Sequence, residues 1–311
     1  MLQDLQKDVR YGIRNLLRNR GFTAIALITL TLGIGAATAM FSVLDAVLLR
    51  PLPYRDPGRL VSFFEDLGKL GYPRTRVSAP VYLDLKAQTR VFEDVGAVNE
   101  TGFNLSGNTG GARQLNGALV TYNVFSILGA KPVIGTAFLP EEDRPGANHV
   151  VLLSYSLWQS EFAGNAGIIG QAIRLNDEPY TVKGIMPPGF SFPDKERNTI
   201  DVWTPRAFTS QELTARRSRY LIVVGRLRPG VSLEEANADL RVLASQNLRQ
   251  YLNDMRGVSR YFAEPLQESY THDAKRGLMM LMTAVGLILL IACANVANLL
   301  LARAARPDGV R

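Results

Sequence analysis

One cysteine, Cys293, and two histidines, His149 and His272, are all that 311 residues hold of the side chains that most often bind metals or form disulfides. A single cysteine excludes an intrachain disulfide, so any large domain must hold together by its own core. Two histidines that lie far apart in sequence give a histidine-based metal or acid–base site little to work with. The motifs G-x-S-x-G, H-E-x-x-H, C-x-x-C and the phosphate-binding Walker A loop are absent. The segment Gly33-Ile34-Gly35-Ala36-Ala37-Thr38 is glycine-rich, but it lies inside an apolar run where it cannot cradle a phosphate. The expectation is a protein that is not an enzyme, with no catalytic residues, no metal ligands and no cofactor. A basic stripe is also missing. The net charge is +7 and the isoelectric point about 9.6, yet residues 45–276 carry 27 basic against 25 acidic side chains. The surplus sits in two short tails, which argues against a nucleic-acid partner.

What is present is a pair of long uncharged runs. Between Arg20 and Asp45 lie 24 residues without a charge, and between Arg276 and Arg303 lie 26 more. As helices at ~1.5 Å per residue these measure ~36 and ~39 Å, enough for a ~30 Å hydrocarbon core. Neither contains proline. The first has a rival reading as a cleaved signal, since Ala37-Thr38-Ala39 resembles a cleavage site. Its length exceeds the ~7–15 residues of a signal core, however, and apolar character continues through Ala46-Val47-Leu48-Leu49. Lys7, Arg10, Arg14, Arg18 and Arg20 precede the first run, and Arg303, Arg306 and Arg311 follow the second. By the bias of basic residues toward the cytoplasm, both tails are expected inside and the long middle segment outside. In the first tail Leu5, Val9, Ile13 and Leu16 recur at helical spacing among basic residues, which suggests an amphipathic helix on the membrane surface.

The domain organisation follows. Residues 1–20 form a cytoplasmic amphipathic basic helix, 21–49 a first span with a stalk, 50–276 an extracytoplasmic domain, 277–302 a second span and 303–311 a cytoplasmic tail. Pro51 and Pro53 end the first helix. The runs Val150–Leu153 and Tyr220–Val224 read as buried strands, and Tyr180–Ile185 as a half-buried one. Ser232 and Glu235 have the capping-box spacing and open a helix running to about Asp254, with Leu233, Ala236, Leu240, Leu243 and Leu248 on one side. Residues 81–88 read as a second helix. The stretch of about 120–210 is rich in glycine, proline and short strand-like runs. The fold class expected is an α+β membrane protein: two transmembrane helices flanking a large domain made of a mixed β/α module with an inserted β-rich module.

Candidate functional residues lie chiefly in the spans. Asn295 and Asn298 stand three apart among Ala292, Ala294 and Ala297, and an amide in hydrocarbon needs a partner. Gly33, Gly35 and Ala37 allow close backbone approach by a neighbouring helix. Packing of the two spans on each other and packing in a larger bundle both remain open. Asp45 is placed to reach the interface or to pair with the large domain. Elsewhere Glu141-Glu142-Asp143 is the densest acidic cluster, read as an exposed turn rather than a cation site, and Asp84, Glu93 and Asp94 read as solvated positions.

Several stretches taken in order carry a resemblance. They are Leu30-Thr31-Leu32-Gly33-Ile34-Gly35, Asp45-Ala46-Val47-Leu48-Leu49-Arg50-Pro51-Leu52-Pro53-Tyr54, Leu128-Gly129-Ala130-Lys131-Pro132, Phe138-Leu139-Pro140-Glu141-Glu142-Asp143, Gly184-Ile185-Met186-Pro187-Pro188-Gly189-Phe190, Gly225-Arg226-Leu227-Arg228-Pro229-Gly230 and Ala292-Cys293-Ala294-Asn295-Val296-Ala297-Asn298. The set resembles the MacB/FtsX-type ABC transporter permeases, in particular the acidobacterial-type duplicated subfamily. The resemblance implies a bacterial inner-membrane protein with a periplasmic domain between its first two spans. It also implies a cytoplasmic ATPase subunit as partner, a homodimer or duplicated permease, a periplasmic adaptor in some relatives, and a role in efflux or mechanotransmission. Such permeases continue past the second span, whereas Ala304-Ala305-Arg306-Pro307-Asp308-Gly309-Val310-Arg311 ends this chain. The expectation is a fragment of a longer permease or a truncated product. The alternative function is a two-span sensor or accessory protein whose large domain binds a ligand.

Overall fold

The computed structural model describes residues 20–45, 48, 50–106, 113–193 and 199–304. The amphipathic tail expected over 1–20 lies outside these residues apart from Arg20, as does 305–311 of the expected tail. The chain divides into two units, 1–50 with 271–311 and 51–270.

The first unit holds the apolar runs. Helix α1 covers Arg20–Leu44, and α6, the last of the described helices, covers Leu266–Ala304. Helical geometry in α6 therefore begins eleven residues ahead of the span expected from 277. In α1, no described α-helical turn follows Leu44. The chain closes instead on a wider turn in which Arg50 N donates to Asp45 O at 3.0 Å, while Arg50 Nε lies 3.4 Å from Asp45 Oδ2. Windows of both helices pass the length and hydropathy test for a membrane span, over Thr23–Leu44 and Ala274–Asn298.

The second unit is built on one sheet. Its strands are β1 (Leu60–Leu67), β2 (Tyr72–Thr75), β3 (Val77–Ser78), β4 (Phe92–Ser106), β5 (Arg113–Val120), β6 (Ile134–Gly135), β7 (Val150–Leu153), β8 (Ala172–Leu175), β9 (Glu178–Ile185), β10 (Val202–Pro205), β11 (Arg219–Leu227) and β12 (Arg260–Pro265). The main path runs β12-β1-β11-β4-β5-β10-β7-β9-β6. Strands β1 and β12 pair antiparallel from Val61↔Pro265 to Asp66↔Arg260, which makes the first and last strands of the unit neighbours. The β-rich stretch of the sequence supplies β6–β10, which extend the sheet beyond β5. There β5–β10 and β7–β9 are parallel pairs. The fifteen residues of β4 serve both halves, pairing with β11 through Phe92–Val98 and with β5 through Val98–Leu105.

Helices α2 (Ala79–Gln88) and α5 (Leu233–Gln250) pack with β1, β11 and β12 in one core, through residues such as Leu85, Leu240, Phe63 and Val223. Helix α5 shows why its sequence folds as it does. Ser232 Oγ accepts from Glu235 N at 3.1 Å, and Glu235 Oε2 accepts from Ser232 N at 2.7 Å, so two otherwise unsatisfied donors are capped. Ala236, Leu240, Leu243 and Ala244 are buried along one side, and each leucine contributes ~2 kcal/mol by leaving water. The helix stops at Gln250, short of Asp254, because Tyr251 adopts φ −125° and ψ 46°. The short α3 (Val124–Leu128) and α4 (Tyr155–Phe162) cover the other half of the sheet, where Phe125, Trp203 and Phe192 are among the fully buried side chains.

Candidate functional site

In the first unit the helices meet along narrow faces. On α1 the less exposed positions are Thr29, Leu30, Gly33, Ala37 and Met40. On α6 they are Leu278, Met282, Val285, Leu289, Ala292 and Val296. Both sets repeat at three and four residues, which is one side of a helix. The helices come close at Gly33: a Cβ there would lie 3.0 Å from Leu289 Cδ1 and 3.9 Å from Ala292 Cβ. Gly35 has nothing within 4 Å of the same construction, and Ala37 is half-buried. Leu27, Leu32, Leu287 and Leu290 are 60%, 69%, 56% and 66% exposed, the surface that a lipid-facing helix presents.

Asn295 and Asn298 are turned away from this seam. They lie three and six residues past Ala292, hence ~60° and ~120° round the helix, and both are exposed. Among the described residues neither amide has a hydrogen-bond partner. Three of the five span residues singled out in the sequence thus stand off the seam. Leu289 is the partner of Gly33 that sequence reasoning missed, because one leucine in an apolar helix carries no distinguishing signal.

In the second unit, charged side chains form two networks, the first of which ties the sheet to its helices. Glu65 on β1 is fully buried. Its Oε2 accepts from Arg219 Nε at 2.7 Å and its Oε1 from Ser78 N at 3.2 Å. Burial pushes its carboxyl above the usual range against the pull of Arg219. Beside it Arg216 Nη1 donates to Asp84 Oδ2 at 2.6 Å while its guanidinium lies 3.6 Å over the Tyr251 ring. Asn247 Nδ2 reaches the same Asp84 oxygen at 2.9 Å. Asp84 is therefore not the solvated helix position expected; it links α2 to α5 and to the segment before β11.

In the second network Arg206, 5% exposed in its side chain, lies 4.6 Å over the Phe208 ring and 5.3 Å over that of Tyr220. It donates to Glu212, which also accepts from Thr209 N at 2.9 Å and from Tyr220 Oη at 2.9 Å. Burial alone would raise the Glu212 carboxyl, but these bonds outweigh it and bring the pKa down to about 2.

The acidic cluster is likewise engaged. Glu142 Oε1 accepts from Lys183 Nζ at 2.6 Å and its Oε2 from Leu139 N at 2.8 Å. Asp143 accepts from Tyr122 N at 3.1 Å and from Ala207 N at 2.8 Å. The expected exposed turn is instead a clasp between the end of β5, β9 and the segment after β10, with Glu141 alone of the three acids exposed. Glu93, exposed, pairs with Arg59, and half-buried Asp94 accepts from Val95 N at 2.8 Å. His149 Nε2 lies 3.0 Å from Glu178 Oε2 at the surface. No group of three or more His, Cys, Asp or Glu side chains is placed to hold a metal among the described residues. The geometry offers struts and a helix seam, and its charged groups are used to hold elements together.

Comparison with known proteins supplies the rest. The model of the MacB-like periplasmic core domain matches residues 23–243. No curated protein matches the chain. Among solved structures, a domain assigned to a permease protein from Porphyromonas gingivalis aligns with a TM-score of 0.52 at 18% identity, covering 68% of this chain and 92% of that one. The periplasmic region of MacB from Actinobacillus actinomycetemcomitans aligns at 0.46 and 15% identity, over 76% and 98% of the two chains. The extracellular domain of the noncanonic ABC-type transporter YknZ from Gram-positive bacteria aligns at 0.47 and 12%, over 66% and 99%. With a family model covering residues 23–243, from the first apolar helix through most of the large unit, the chain belongs to the MacB-like periplasmic core domain family.

Proposed function

We propose that this chain is the permease subunit, or the N-terminal part of one, of a MacB-like ABC transporter. In this reading ATP hydrolysis by a cytoplasmic ATPase partner moves the periplasmic domain, for export or for mechanical signalling. The observation that supports it most is the order of parts: an apolar helix, a MacB-like domain and a second apolar helix. Basic residues outside both apolar runs favour cytoplasmic termini. The chain itself performs no catalysis and takes no cofactor; its buried carboxylates serve as structural acceptors. The unpartnered amides of Asn295 and Asn298 favour assembly with further helices, in a dimer or a duplicated permease.

The test is affinity purification of the tagged full chain from its native membranes in mild detergent. Recovery of a nucleotide-hydrolysing subunit in stoichiometric amount is the expected result. Its absence, together with a small molecule retained by the large domain, would instead establish the sensor or accessory reading.

A further inference from the structure

Around α3 the second unit has an open groove of about 530 Å³, within the range of small-molecule sites. Tyr122, Ala130 and Ala137, all half-buried, supply its accessible apolar surface over the buried rings of Phe125 and Phe138, and Arg55 and Lys131 are the basic residues on its rim. Both cations are exposed, and neither makes an ion pair or side-chain hydrogen bond among the described residues. The surrounding carboxylates are already taken. Glu93 pairs with Arg59, Glu142 with Lys183, and Asp56 lies 3.8 Å from both Arg59 and Arg226. Asp94, which also lines the groove, caps Val95 N and lies 3.8 Å from Lys86 Nζ.

Arg55 is held in place rather than loosely attached. Its N donates to Leu128 O at 3.1 Å, and its carbonyl accepts from the buried Arg226. Arg226 also binds Ile127 O through Nε at 2.9 Å, which fixes the end of α3 to the same segment. The Arg55 stem lies on Gly129, where φ is +71° and a Cβ would stand 2.4 Å from Arg55 Cβ. A residue with a side chain would displace the arginine. Burial, and then the charges of Arg55 and Arg59, hold the Arg226 guanidinium below its ordinary pKa against the pull of Asp56 and Glu93.

An isolated lysine or arginine on a surface is ordinary. Two without counter-charge, one of them positioned by a buried arginine and both beside the apolar surface of Tyr122, Ala130 and Ala137, form a complement to a ligand with a charged end and an apolar body. We propose that this groove binds an anionic amphiphile, its phosphate or carboxylate head between Arg55 and Lys131 and its apolar part along Tyr122 and Ala137. This site is separate from ATPase coupling and does not depend on it.

The experiment uses the full chain in discs of neutral lipid. Binding of octyl phosphate, dihexanoyl phosphatidylglycerol, dihexanoyl phosphatidylcholine and inorganic phosphate is measured on the native protein and on Arg55→Ala/Lys131→Ala. Both replaced side chains are exposed, and unchanged melting of the variant, with recovery of binding in Arg55→Lys, guards against misfolding. The expected result is saturable binding of octyl phosphate that weakens at least tenfold in the double variant, with phosphatidylcholine not competing. Competition by phosphatidylglycerol would assign the head to a lipid, and its failure beside octyl phosphate binding would assign it to a free amphiphile; either supports the proposal. Equal binding by the double variant, equal binding of phosphatidylcholine, or inorganic phosphate competing as well as octyl phosphate would overturn it.

Discussion

Glu212 illustrates how single residues of this domain couple its stability to pH. Its carboxyl, ordinarily near 4.5, is brought down to about 2 in the fold. A depressed acid stabilises the fold fully above its unfolded pKa, and that contribution is lost as pH falls from about 4.5 through about 2. Both tryptophans, Trp158 and Trp203, belong to the large unit, so fluorescence reports its unfolding. Glu212→Gln should therefore flatten the acid limb of denaturant stability by up to ~1.4 kcal/mol per pH unit. Parallel acid limbs for the two proteins would show that the carboxylate is not responsible. The residue types at such positions were readable in the sequence, but their partners were not. Asp84 meets Arg216 across 132 positions and Glu65 meets Arg219 across 154, and no local pattern announces pairs so distant. Asp84 and Asp143 consequently looked solvated and are not.

Elements differ in how openly the chain declares them. Helix α5 is legible because polar and apolar residues alternate round it and Ser232 and Glu235 mark its start. The spans are legible as spans for the opposite reason, their uniform apolarity, and that uniformity conceals which side packs. Gly33 and Gly35 look equivalent in sequence, yet only the first lies against Leu289. Gly33→Leu should force the helices apart and lower the detergent melting temperature of the pair, whereas Gly35→Leu should leave it nearly unchanged. Equal effects of the two changes would mean that the seam lies elsewhere. The start of α6 at Leu266 was hidden for a related reason. The polar turn Gln267-Glu268-Ser269 precedes the uncharged run and does not interrupt helical geometry.

At the scale of the whole molecule, composition alone separated the chain into apolar ends and a nearly neutral middle, and the fold follows that division. The orientation proposed from the basic tails can be checked directly. In a Cys293→Ser background, a cysteine at Val242, which is 57% exposed, should react with an impermeant maleimide from the periplasmic side. One at Lys7 should react only after the inner membrane is opened. The reverse pattern would overturn the assignment of both termini to the cytoplasm. The strand order was not readable beforehand, because parallel pairs such as β5–β10 join segments whose ends give no hint of register.

The pairing of the first and last strands of the large unit has a mechanical consequence. Chain enters at Leu60 and leaves at Pro265, and Val61 faces Pro265 at the same end of an antiparallel ladder. A pull that drew these two points apart would load the rungs one after another, as a zipper opens from its end. A pull along the strands in opposite senses would load all the rungs together and meet far greater resistance. The domain is thus built to yield to separation of its two anchor points and to resist sliding of one past the other.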